Sequence, residues 1–136
     1  MSTFLLEVIT PEKQFYNGDA EEIICETETG QLAVLRGHAP MIASLVVGEL
    51  RIKAEGAWKS AYVEGGFMET ERDHVTVFSE FCEWSDEIDE AKALAEKEKA
   101  LHNIKHSANI KEHREHEISL ARSMARLKIK NHKYNG

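Results

Sequence analysis

The chain changes its pattern once, after Trp84. Both prolines and every glycine except Gly136 lie before that point. From Ser85 to Tyr134 there is neither, and Ala, Glu, Lys, Arg and Leu dominate. Alternating apolar residues broken by turn formers give strands, whereas a long run of helix formers without a breaker gives helices. One architecture therefore cannot cross this boundary, and the sequence predicts two parts, residues 1–84 and 85–136.

The first part reads as short strands. Phe4, Leu6 and Val8 alternate until Pro11, and Ile23 and Cys25 form a second apolar stretch. Leu32–Leu35 and Met41–Val47 flank an exposed corner at Arg36-Gly37-His38-Ala39-Pro40. Leu50 and Ile52 lead to a turn at Glu55-Gly56-Ala57, and Trp58, Ser60 and Tyr62 follow. Gly65-Gly66 interrupts a strand pattern, which points to a bulge or a close backbone approach. Val75 and Val77 close the series. Turn signals every ~8–12 residues predict a β-sandwich or barrel.

The second part predicts two helices. Asp86, Glu87 and Asp89 crowd the start of the first, where the helix dipole favours anions. Ile88, Ala91, Ala95, Leu101 and Ile104 form its expected apolar stripe. Ser107-Ala108-Asn109 is the expected break, and a second helix runs from about Ile110 to Ile129. Leu120, Met124 and Leu127, with Ile118, Ala121 and Ala125, mark its expected apolar positions. In an antiparallel hairpin turning near residue 107, Asp89 faces Arg126, and Lys92 lies near Arg122 and Ser123. The contact residues are mostly alanine, so the hairpin is expected to dock weakly and to be separable. Elements of low local stability are the ones that switch.

Charge sharpens this division. Net charge is −7, yet the last 18 residues hold Arg122, Arg126, Lys128, Lys130 and Lys133 and no carboxylate. The first 118 residues therefore carry −12, which argues against a nucleic-acid partner. No P-loop, Cys-x-x-Cys or Ser/His/Asp order is present, and no catalytic residue is assigned. His102, His106, His113 and His116 straddle the turn in a Lys-rich setting and read as a wet hairpin tip, with no metal site assigned. Cys25 and Cys82 sit in apolar contexts and read as small buried hydrophobes rather than a redox pair. No apolar run approaches the ~18 residues of a membrane span, and no signal or transit segment is visible.

The run Gly30-Gln-Leu-Ala-Val-Leu-Arg-Gly-His-Ala-Pro, the segment Gly65-Gly66-Phe67-Met68-Glu69, and the ending Arg122-x-x-x-Arg126-Leu127 together carry a resemblance. Over essentially its full length the chain resembles the epsilon subunit of bacterial F-type ATP synthase. It departs from that family at Arg36, where proline usually precedes the glycine.

The resemblance implies a ten-stranded β-sandwich followed by an α-helical hairpin, an α+β chain in two parts. It implies a non-catalytic rotor subunit of the central stalk, bound to the gamma subunit and the c-subunit ring, that helps couple ion flow to ATP synthesis. The implied location is peripheral, on the cytoplasmic side of the bacterial cell membrane. Gln31, Arg36, His38, Ala39, Met41, Ile42 and Ser44 are the implied contacts to the ring. Extended helices imply contact with the alpha and beta subunits and inhibition of ATP hydrolysis, through Arg122, Arg126, Lys128, Lys130 and Lys133. No cofactor is implied as required, but ATP is implied as a regulatory ligand of the folded hairpin. Ile88-Asp89-Glu90-Ala91-Lys92-Ala93 matches the family's nucleotide segment with lysine for arginine, and Arg122 and Arg126 complete the set. Lysine gives a point charge but not a bidentate fork. The residues alone also admit a free-standing nucleotide sensor, or a basic helix end that only compensates a dipole.

Overall fold

The computed structural model describes residues 2–132. Eight strands are present among them: β1 (Phe4–Ile9), β2 (Gln14–Ala20), β3 (Glu22–Thr27), β4 (Gly30–Leu35), β5 (Met41–Ala54), β6 (Ala57–Thr70), β7 (His74–Phe78) and β8 (Cys82–Trp84). A 3-10 turn at Ser85–Glu87 leads to α1 (Glu90–Lys105) and α2 (Ile110–Asn131). The strands run in the order β2-β1-β7-β6-β5-β3-β4, with β8 paired to β6. All pairs are antiparallel except β1 with β7.

The resemblance implies ten strands, and the structure has eight because β5 and β6 are each 14 residues long. Each serves both layers. In β5 the inward side chains are Ala43 and Leu45 at first, then Leu50 and Ile52. In β6 they are Val63, then Met68. Side chains alternate with period two, so an odd-to-even switch means the strand has turned its other face to the core. The β3–β5 register shifts between Ile24 and Thr27, beside the switch in β5. The switch in β6 falls at Gly65 (φ 74°) and Gly66 (φ 111°). A Cβ at Gly66 would lie 1.8 Å from the carbonyl oxygen of Phe78, so only glycine fits there. Counting each half of β5 and β6 separately restores ten.

One core fills the sandwich, drawn from Phe4, Leu6, Val8, Ile23, Val34, Leu50, Ile52, Met68, Val75 and Val77 among others. Cys25 and Cys82 are buried in it as free thiols, and burial pushes both up to about 11.

The helices begin on side-chain caps. Asp89 accepts from the Lys92 amide at 3.0 Å, and Asn109 accepts from the Glu112 amide at 2.9 Å. Asp86 and Glu87 lie in the 3-10 turn rather than in α1. The apolar stripes differ from expectation. In α1 the buried residues are Ala93 and Ala100, while Ala91, Ala95 and Leu101 are exposed. In α2 they are Ser123 and Ile129, while Ile118, Ala121 and Met124 face solvent. The reason is the packing order: α1 lies on α2, and α2 lies on β5 and β6. Small residues sit where two helices and a sheet approach closely, and charged residues fill the seam.

Candidate functional site

The seam between α2 and the sandwich is built around Arg126. The outward faces of β6 and β8 present Tyr62, Glu64 and Glu83 by strand alternation, and α1 adds Glu96. Arg126 stacks on the Tyr62 ring, its Cζ 4.3 Å from the centroid. It pairs with Glu64 at 3.3 Å, Glu83 at 3.5 Å and Glu96 at 4.0 Å. Arg122, one turn earlier, reaches the same Glu64 oxygen at 3.6 Å. Its Nε is buried and donates no hydrogen bond. Tyr62 is fully buried and its hydroxyl donates to Glu64 at 3.0 Å. Burial holds that phenol above the usual tyrosine range, with Arg126 opposing and Glu64 adding to the effect.

Two cavities flank Arg126. One, of about 260 Å³, is lined by Asp89, Lys92, Ala93, Glu96, Phe81, Glu83 and Arg126. The other, of about 520 Å³, is bordered by Glu64, Lys99, His116, Ser119, Arg122 and also Arg126. Asp89 and Arg126 therefore line one hollow, as the hairpin register predicts. Lys92 shares that hollow with Arg126 but not with Arg122, which lines the other; only Arg126 and Glu96 border both. The Asp89 carboxylate is engaged as the cap of α1.

The apolar part of the seam is small. Tyr62, Ile88 and Ile129 form a cluster separate from the sandwich core, with Val47 and Ala125 against it. At the far end His132 reaches Glu49 at 3.3 Å, and Glu49 meets Arg51 at 2.9 Å. Lys130 donates to the Asp86 carbonyl at 3.4 Å, so the basic end of α2 meets the acidic start of the hairpin. Lys128 is exposed, and Lys133 lies outside the described residues. The cationic end thus rests against the sandwich rather than at the hairpin tip. At the tip, His113 pairs with Glu117 and His116 with Glu112.

The corner expected to meet the ring is an ordered turn. His38 N–H donates to the Leu35 carbonyl at 3.2 Å, and Gly37 sits at φ 88°. Arg36 is then the second residue and Gly37 the third, the positions a type II turn gives to proline and glycine. Thr70, buried on β6, donates to the Ala39 carbonyl at 2.8 Å and accepts the Met41 amide at 3.1 Å. Gln31, Met41, Ile42 and Ser44 border one hollow, and Ile42 is 72% exposed. Arg36 borders a different one with Arg72 and Asp73. His38 is half-buried and Ala39 exposed.

Sequence reasoning missed Glu64, Tyr62, Glu83, Glu96 and Thr70. The available signal was the pair Tyr62-x-Glu64 beside Gly65: an aromatic and a carboxylate on one face of a strand whose other face is core.

A β-sandwich carrying a two-helix arm, seated on its long strands by a charged seam, is the class of molecule that these features define. Family models for the ATP synthase delta/epsilon chain match both parts, the beta-sandwich domain at residues 3–85 and the long alpha-helix domain at 86–131. The chain belongs to that family. It is 46% identical over 128 residues to the ATP synthase epsilon chain of Caldanaerobacter subterraneus subsp. tengcongensis, covering 93% of each chain. It is 40% identical to that of Ruminococcus albus, covering 98% of this chain and all of the other. The same fold occurs in a chain of the Euglena gracilis mitochondrial ATP synthase, with a TM-score of 0.83 at 21% identity over 92% of this chain and 79% of that one.

Proposed function

We propose that this chain is a non-catalytic rotor subunit of an F-type ATP synthase, in which the sandwich binds gamma and the c-ring and the hairpin regulates ATP hydrolysis. The single observation that carries the regulatory part is the seam. Its apolar cluster holds one side chain from each of β6, the linker and α2, against sixteen buried residues in the sandwich core. A full-sized apolar side chain contributes only ~1.5–3 kcal/mol when buried, so the hairpin can leave without unfolding the sandwich. The division falls at Trp84–Ser85. The corner residues Gln31, Arg36, His38, Ala39, Met41, Ile42 and Ser44 face the ring, and the subunit is peripheral on the cytoplasmic side of the cell membrane. No described helix is long and apolar enough to cross a membrane. When extended, the helix bearing Arg122, Arg126, Lys128, Lys130 and Lys133 meets the alpha and beta subunits and slows hydrolysis.

The docked hairpin binds ATP as a regulatory ligand. Two arginines one turn apart favour an anion between them, and Lys92 adds a point charge from the neighbouring hollow that Arg126 also lines. A ligand that fits only the docked form draws the population away from the extended, inhibitory one. Calorimetric titration with Mg-ATP showing no heat at millimolar ligand overturns this part. The experiment for the whole is ATP hydrolysis by the catalytic complex, with and without the full chain and the chain cut after Trp84. Inhibition by the full chain only is expected. Equal rates in all three overturn the regulatory role.

A further inference from the structure

Glu64 stands where both arginines of α2 converge. Its side chain is 14% exposed and one oxygen takes three neighbours: the Tyr62 hydroxyl, Arg126 and Arg122, at 3.0, 3.3 and 3.6 Å. The other seam carboxylates are placed differently. Glu83 and Glu96 touch Arg126, and their ion pairs do not include Arg122. Glu64 also borders the larger of the two cavities with Arg122 and Arg126, so a phosphate bound between the two guanidinium groups comes up against its negative charge.

We infer that Glu64 is an internal counter-anion: it latches the empty hairpin to the sandwich and gives up its arginines when a nucleotide phosphate takes them. The inference rests on the ATP reading above for its second half only. In the empty state a sandwich carboxylate pairs with both arginines and ties α2 to β6. A phosphate that replaces it transfers the tie from β6 to the ligand. Glu64 and ligand are therefore alternatives for the same donors, and the carboxylate lowers the affinity of the site by occupying them. A guanidinium that meets a carboxylate oxygen here can meet a phosphate oxygen at a similar distance.

The test is amide hydrogen exchange of α2 in the full-length wild type, in Glu64→Gln and in Glu83→Gln, each without ligand and with saturating Mg-ATP. Glutamine keeps the size of Glu64 and an acceptor for Tyr62 but removes the charge. Unchanged exchange in β1 and β7 certifies an intact sandwich. Without ligand, Glu64→Gln is expected to raise α2 exchange about tenfold and Glu83→Gln less than about threefold. With Mg-ATP, the Glu64→Gln penalty is expected to shrink below about threefold, since the phosphate now holds the arginines. An equal penalty with and without Mg-ATP, in a protein whose wild type is protected by Mg-ATP, overturns the exchange. Equal loosening by both variants overturns the latch. A wild type whose α2 exchange ignores Mg-ATP overturns the ATP reading and the exchange with it, and the ligand-free arm then judges the latch alone.

Discussion

Ile129→Ala tests whether the hairpin is a separable element. Ile129 is 2% exposed and is the one large apolar residue that α2 buries, against Tyr62 and Ile88. Truncating a buried isoleucine to alanine costs ~2–5 kcal/mol in a closed core. The lower part of that range applies here, because the cluster has three buried members and borders the charged seam. About 2–3 kcal/mol lowers the docking equilibrium constant by about 30- to 150-fold, since each 1.4 kcal/mol is tenfold. The loss falls on docking and not on the sandwich, whose core is a distinct cluster. Native-state hydrogen exchange read by peptide is the assay. Peptides of α2 should lose protection by that factor, while β1, β5 and β7 keep theirs and the unfolding temperature of the sandwich is unchanged. If the variant instead lowers sandwich stability by the same 2–3 kcal/mol, the hairpin and sandwich unfold as one unit and the switch is refuted.

Further outcomes are expected. Arg36→Pro should stabilise the protein by ~0.4–1 kcal/mol in thermal unfolding, because proline presets the second position of the Leu35–His38 turn and restricts the unfolded chain. Gly66→Ala should destabilise by more than the ~1–3 kcal/mol of a positive-φ residue alone, since its Cβ also meets the Phe78 carbonyl; chemical denaturation measures this. Tyr62 ionises late because burial raises its phenol, so the folded state keeps it neutral where an unfolded chain, near pH 10, does not. Its contribution is then complete below pH 10 and falls as pH rises beyond it. Tyrosinate absorbance should show a late phase that Tyr62→Phe reduces, the remainder being Tyr16, which burial also raises. Cys25 and Cys82, pushed up to about 11, should resist alkylation at pH 8 until denaturant is added.

The two-part architecture was legible because its signals are local. Glycines, prolines and alternation mark the strands, and their abrupt loss marks the hairpin. Gly65-Gly66 was readable as a close approach because only a missing Cβ explains two glycines inside a strand. The helix faces were not readable. Leu101, Ile118 and Met124 look like core residues by type, but α1 packs on α2 and α2 on β5 and β6 through Ile129 and small residues, and these three side chains face outward. The hairpin register placed Asp89 opposite Arg126 because two helices joined by a short turn admit little else. Glu64 was hard to read for the opposite reason: its arginine partners are about 60 residues away, and the local pair Tyr62-x-Glu64 does not say which distant helix covers it. Ser60, Ala61, Tyr62 and Val63 are all buried, because one face of the strand is core and α2 covers the other.

Complex formation with the gamma subunit tests the stalk role most directly. Purified full-length chain mixed with gamma should elute from a sizing column as one stoichiometric complex, and the chain cut after Trp84 should do the same, since the sandwich carries the contact. A chain that remains separate from gamma in both forms, while still binding nucleotide, is a free-standing sensor and contradicts the stalk role.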